Sequence, residues 1–203
     1  MPTSLHDDRL NLVLQTLRDH GAAKVLDLGC GDGPLLAALA GDDFFEQITG
    51  LDISRPALEA CRRALSRLSL DDRVTLLNDS FAVANPGLQG FDAAVLLETI
   101  EHIPPDRLSG VERAVFNSYR PRLVLITTPN QECNELLGVP SHRLRHPGHE
   151  FEWTRAKFQS WSNGVAGRNG YGVEFSGIGW SHPAFGSPSQ MALFARQGAN
   201  AEA

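Results

Sequence analysis

The chain has 203 residues, 42% of them hydrophobic and 21% charged, which suits one globular domain whose core needs no covalent staples. Its three cysteines, Cys30, Cys61 and Cys133, form no CxxC pair, which speaks against a disulfide framework or a zinc ribbon. The apolar runs are too short to span a bilayer, and the start of the chain, with Asp7 and Asp8, lacks the basic and apolar parts of a secretion signal. A cytoplasmic protein that engages no membrane is therefore expected.

Strand-like and helical patterns alternate along the chain. Apolar spacing around Leu10 to Leu17 predicts an N-terminal helix over 5–20, and Lys24 to Leu28 reads as a strand running into a glycine cluster. Pro34 to Ala40 opens a helix with proline in its first turn. Gln47 to Ile53 is a second strand, and Pro56 to Leu68 a helix with Ser54 as N-cap. Arg73 to Leu77 and Phe91 to Leu97 are the third and fourth strands, followed by a charged helix from Pro105 to Asn117. Arg122 to Thr127 is a fifth strand. Residues 131–153 break the rhythm, being polar and rich in His, Arg and Pro, before a helix from Arg155 to about Val165. Two β-like segments follow, Gly172 to Ile178 and Gln190 to Arg196. This order predicts an α/β fold with a mostly parallel sheet of seven strands, helices on both faces, and a surface insertion of functional character.

The net charge is −6, which by itself disfavours a nucleic-acid partner. Its distribution is uneven. Residues 1–110 hold 17 acidic against 9 basic side chains, whereas residues 111–203 hold 7 against 9 and four of the seven histidines. Arg143, Arg145, Arg155 and Lys157 cluster with His142, His146 and His149, so one face could hold a phosphate backbone, although an ordinary solvated face gives the same pattern.

The glycine cluster, Asp27-Leu28-Gly29-Cys30-Gly31-Asp32-Gly33, follows the first strand. A dinucleotide fingerprint would need glycine where Pro34 stands, so that reading fails. The spacing D-x-G-x-G-x-G resembles the S-adenosylmethionine loop of Rossmann-like methyltransferases. By that resemblance Asp27, Gly29 and Gly31 bind the cofactor, the glycines letting the backbone run close beneath its methionine part and adenosine, and Asp52, at the end of the second strand, grips the ribose hydroxyls. A carboxylate accepts both hydrogen bonds with charge assistance. Ser54, Asp79 and Ser80, at the next strand ends, complete the expected cofactor set.

After the fourth strand comes Glu98-Thr99-Ile100-Glu101-His102. A helical turn there would place Glu98, Glu101 and His102 on one side, at i, i+3 and i+4. Carboxylates with imidazole suit Mg²⁺ or Mn²⁺ better than structural zinc. An inverted zinc-protease motif would need His at position 98, and exposed helix charges are the plainer alternative.

With His146-Pro147-Gly148-His149-Glu150-Phe151-Glu152-Trp153-Thr154 and Thr128-Pro129-Asn130, this constellation resembles the Hua-enhancer family, which methylates the 2′-hydroxyl of the 3′-terminal ribose of small RNAs. The resemblance runs from the N-terminal helix to Ala192. It implies that Glu98, Glu101, His102 and His149 are catalytic and hold Mn²⁺ or Mg²⁺, and that Arg145, His146 and Asn130 meet the RNA 3′ end. Four protein ligands leave two octahedral positions, which matches the vicinal hydroxyls of a terminal nucleotide. The family's usual Asp before the last histidine is Gly148 here, and its usual Tyr is Cys133. Partners from RNA repair or small-RNA silencing would follow. A catechol-type O-methyltransferase of a small molecule and a non-catalytic RNA-binding module are the alternatives. Trp153, Phe151 and Trp161 read as core aromatics, and His6, His20 and His182 as surface residues.

Overall fold

Every residue of Val25–Leu28, Ile48–Leu51, Ala93–Leu96 and Leu123–Pro129 is buried, the signature of strands covered on both faces. In the computed structural model, which describes residues 4–66 and 72–198, these segments belong to one seven-stranded sheet. The strands are β1 (Lys24–Leu28), β2 (Gln47–Leu51), β3 (Val74–Leu77), β4 (Ala93–Leu97), β5 (Leu123–Pro129), β6 (Tyr171–Ile178) and β7 (Ser189–Arg196). Their order is β3-β2-β1-β4-β5-β7-β6, with the first five parallel and β7 antiparallel to both neighbours. The expected mostly parallel, doubly wound architecture is what the chain adopts.

Alternate strand residues feed two cores. Val25, Ile48, Val95 and Leu125 pack beneath α1 (Leu5–Asp19), α2 (Pro34–Ala40) and α3 (Arg55–Leu65). Leu26, Leu96, Ile126 and Phe194 pack on the other face, against α4 (Leu108–Glu112) and α5 (Arg155–Asn169). Local chemistry fixes the helix starts. Ser4 and Asp7 form a reciprocal capping box on α1, Ser54 Oγ accepts the Ala57 N–H at 3.3 Å, and Thr154 caps α5. The expected end of α3, at Leu68, falls outside the described residues.

One predicted helix is divided. Instead of a continuous run over Pro105 to Asn117, a 3₁₀ turn at Pro105–Arg107 leads into α4, and Arg113–Tyr119 is a π-helical stretch. The wider turn buries Val115, Phe116 and Tyr119 together, and the Tyr119 hydroxyl donates to the Val83 carbonyl at 2.7 Å. The insertion holds two 3₁₀ turns, Gln131–Cys133 and Glu135–Leu137, and is closed by a parallel bridge between Asn130 and Trp153. Phe151 stacks on Trp153 with ring centres 4.2 Å apart, and both pack on the core with Trp161. No described helix is long and apolar enough to cross a membrane.

Candidate functional site

Strand order reverses between β1 and β4, and open α/β sheets bind ligands in the crevice at such a point. A cleft of about 540 Å³ lies there, with Gly29, Gly31, Asp52, Ser80, Glu98 and His102 along it. The glycines are steric requirements. Gly29 has φ +82°, and a Cβ on it would come within 2.5 Å of Thr99 Cγ2; one on Gly33 would come within 2.3 Å of Cys61 Sγ. Backbone N–H groups fix Asp52 at the cleft: its Oδ2 accepts from Gly31 at 2.9 Å and its Oδ1 from Ser54 at 2.7 Å.

The expected cofactor residues divide. Gly29, Gly31, Asp52 and Ser80 reach the cleft. Asp27 is only 2% exposed, with Oδ2 unpartnered; burial first, and the Asp52 charge second, push its carboxyl up to about 7. Ser54 spends its hydroxyl on the α3 cap, and Asp79 accepts the Ser80 N–H at 2.7 Å. Ile53, 74% exposed at the cleft, was not singled out from the sequence; its position directly after Asp52 is the signal that could have found it.

Past β4 the expected helical turn is only partly present. Ile100–His102 is a 3₁₀ turn, but Glu98 sits outside it at φ +50°, a conformation non-glycine residues rarely adopt. Its N–H donates to Thr127 Oγ1 at 3.0 Å, and its carboxylate turns to Arg9 (2.9 Å) and the Ser189 hydroxyl (2.7 Å). This corrects the expectation that Glu98, Glu101 and His102 share one helical face: the left-handed residue and its cross-sheet partners turn Glu98 aside. Glu101 is fully buried; Oε2 accepts from Thr128 at 3.1 Å, while Oε1 has no partner. Burial, then the Glu98 charge, raises its carboxyl well above the usual range.

Among the described residues, the group whose potential ligating atoms lie within 4.8 Å of one another consists of His102, His146 and His149, without either glutamate. The ring of His102 is centred 4.8 Å from that of His149. His102 Nδ1 donates to the Gly148 carbonyl at 2.9 Å, and His149 Nδ1 donates to Glu152 Oε1 at 2.6 Å. Both therefore carry the free lone pair on Nε2, the tautomer of metal-binding histidines with an outer hydrogen bond. Burial and the neighbouring imidazoles lower the His102 pKa.

The insertion is wired to this cluster by residues the sequence did not single out for the task. Glu152 also accepts from the Arg145 backbone N–H (2.7 Å) and the Asn134 amide (2.6 Å). Arg145 donates to Asn134 Oδ1, the Pro188 carbonyl and the Asn130 carbonyl. Three of its guanidinium N–H groups are thereby engaged within the protein, whereas the sequence pointed to a phosphate contact. Asn130, 0% exposed, donates to the Phe185 and Ser187 carbonyls, so it shapes the fold and cannot reach an RNA end. His182, expected to be a lone surface histidine, accepts the Ala184 and Phe185 N–H groups and stacks on the Phe185 ring. Arg9, Thr128, Ser189 and Glu152 are the site residues sequence reading missed.

A methyltransferase-domain family model matches residues 25–122. The small RNA 2′-O-methyltransferase of Gallus gallus is 39% identical over 86% of this chain and 48% of its own length. That of Arabidopsis thaliana is 31% identical over 98% of this chain and 23% of its own. The chain thus spans about half or less of the length of the curated relatives it matches. The crystal structure of the methyltransferase domain of bacterial CtHen1 superposes with a TM-score of 0.86, at 39% identity over 95% of this chain and 100% of that one. Similarity over that entire domain, on a Rossmann-like methyltransferase fold, places the chain in the Hen1 (Hua-enhancer) family of small RNA 2′-O-methyltransferases.

Proposed function

We propose that this domain transfers a methyl group from S-adenosylmethionine to the 2′-hydroxyl of the 3′-terminal ribose of RNA, with the help of Mn²⁺ or Mg²⁺. One observation carries the reading: His102 and His149, with ring centres 4.8 Å apart, each hold an Nε2 lone pair, His102 lines the cleft that includes Gly29, and Glu101, its neighbour in the chain, is buried with an Oε1 that has no partner among the described residues. An unpartnered buried carboxylate oxygen is costly unless a cation or donor meets it. Glu98, Glu101, His102 and His149 would hold the cation, with Glu98 turning from Arg9 to do so. Bound there, a divalent cation supplies a Lewis acid that lowers the pKa of a ribose hydroxyl.

The remaining work falls to the chain. Asp52 would take the ribose hydroxyls of the cofactor, held in place by the Gly31 and Ser54 N–H groups. Ile53 and Phe81 offer apolar surface beside it. The glycine loop would let the methionine part lie close to backbone, and so help bring O2′, methyl carbon and sulfur into line. RNA-repair or small-RNA pathway proteins are the partners this reaction suggests. The test is transfer of labelled methyl to single-stranded RNA, compared with the same RNA carrying a 2′-deoxy or 3′-blocked end and with chelator present. Activity confined to the free ribose end, lost in chelator and restored by Mn²⁺ or Mg²⁺, supports the reading; equal activity on the 2′-deoxy end defeats it.

A further inference from the structure

The proposed function uses two of the three clustered histidines. The third, His146, is exposed, with its ring centred 5.6 Å from His102 and 5.5 Å from His149. Gly148 sorts the three rings. Its carbonyl accepts the His102 Nδ1–H, which leaves the His102 lone pair on Nε2. Its N–H donates to His146 Nδ1 at 3.0 Å, so that nitrogen is the acceptor and the His146 ring proton sits on Nε2. One residue thus sets neighbouring imidazoles in opposite tautomers. The lack of a side chain matters: a Cβ at position 148 would lie 3.1 Å from His146 Nδ1 and 3.4 Å from His102 Nδ1. The free ring nitrogen of His146 is therefore a donor, whereas those of His102 and His149 are acceptors.

We propose that His146 Nε2–H donates a hydrogen bond to the 3′-oxygen of the terminal ribose, and thereby decides which of two vicinal hydroxyls is methylated. The inference rests on the functional reading above. The two oxygens are chemically alike, so selectivity needs a partner that engages one and leaves the other free to attack. A donor on an oxygen draws electron density from it, so the oxygen His146 holds is the poorer nucleophile. The placement favours the ribose over a phosphate, because His146 lies within 4.8 Å of the two ligand imidazoles and Arg145, beside it, is turned into the protein. In the transfer the O2′–carbon bond forms as the carbon–sulfur bond breaks, sulfur keeps the electron pair, and the 2′ proton passes to water. His146, already protonated on Nε2, does not accept it.

The test compares RNA ending in ribose with RNA ending in 3′-deoxyribose, using the wild type and His146→Ala. Loss of the 3′-hydroxyl should lower kcat/KM about tenfold more in the wild type than in the variant, as for one lost hydrogen bond. His146→Ala should also yield 3′-O-methyl product, which digestion and chromatography resolve. Gly148→Ala, which crowds the ring but keeps it, should behave in the same way. Mn²⁺ affinity, read by electron paramagnetic resonance without RNA, should stay within twofold in His146→Ala. Equal losses in both enzymes overturn the proposal. So does a tenfold fall in Mn²⁺ affinity, which would make His146 a ligand, or a coupling found only with a phosphorothioate at the terminal linkage, which would make it a phosphate donor. A wild type that methylates no RNA removes the functional reading and this inference with it; methylation without coupling removes this inference alone.

Discussion

Glu101 is fully buried, with Oε1 unpartnered among the described residues and Thr128 donating to Oε2. Glu101→Gln keeps the shape and removes the charge. Without added metal it should raise stability at neutral pH by roughly 1 kcal/mol, or about 2–4 °C in melting temperature, because a desolvated charge is gone. The same variant should lose methyl transfer and keep its cofactor affinity; a melt lower than wild type, or full activity in chelator, contradicts this account of the site. Asp27 supplies a pH effect. Its carboxyl titrates at about 7 in the folded chain, raised by burial and then by Asp52, against roughly 3.9 unfolded. Below about pH 4 it is protonated in both states and costs nothing. Between about pH 4 and 7 the unfolded state ionises first, so stability falls by of order 4 kcal/mol, and the loss is complete above pH 7. Asp27→Asn should remove that slope, gaining on wild type by about 2.5 kcal/mol more at pH 8 than at pH 5 in denaturant melts. An equal gain at both pH values would show Asp27 ionised well below 7.

The insertion is held by residues that sequence reading cast in another role. Arg145 joins Asn134, the Pro188 carbonyl and the Asn130 carbonyl, so it behaves as a clamp on the segment that carries His149. Arg145→Ala should therefore speed amide exchange across residues 141–149 by roughly tenfold or more, the equivalent of one or two lost hydrogen bonds, and leave the salt slope of RNA binding unchanged. A slope reduced by about 0.7 would restore the phosphate contact. Position in the chain explains what could be read beforehand. Strands such as Leu123–Pro129 and the capped helix starts depend on residues a few places away, so runs of Val, Ile and Leu and a well-placed Ser or Thr were sufficient. The glycine loop and Asp52 were legible for the same reason. Glu98 was not: its φ of +50° goes with a Thr127 contact 29 positions on, and its carboxylate is held by Ser189, 91 positions on. Asn130 and Arg145 looked like loop polar groups available for substrate, but Phe185, Ser187 and Pro188 supply carbonyls that engage them, and spacing carries no sign of that.

At the scale of the molecule, the cofactor cleft lies over strands whose cores close on both faces, so ligand and fold stability are linked. S-adenosylmethionine at a hundred times its Kd should add about 2.7 kcal/mol, a rise of roughly 5–11 °C in melting temperature for a domain of this size. Asp52→Ala should bind the cofactor more weakly by about 1.5–3 kcal/mol, so at the same concentration most of that rise disappears. A full rise in the variant would take Asp52 out of the site. The charge distribution matters at this scale too. The acidic first half carries the residues that line the cleft, His102 among them, and the slightly basic second half adds His146 and His149.

Strand β7 follows all the other strands in the chain yet lies between β5 and β6, and the chain entering it brings the Pro188 carbonyl to Arg145 and the Ser189 hydroxyl to Glu98. The cleft at Gly29 and Asp52 is lined by residues no later than Arg107. During translation, then, every wall of that cleft leaves the ribosome some eighty residues before the serine that holds the Glu98 carboxylate. On the proposed function, translation would deliver the groups that recognise the methyl donor first and those that brace the acceptor's site last. A nascent chain halted before residue 188 lacks the Ser189 partner of Glu98 and the Pro188 anchor of Arg145, so on the proposed function the methyl-accepting end of the site would not be complete until β7 is made.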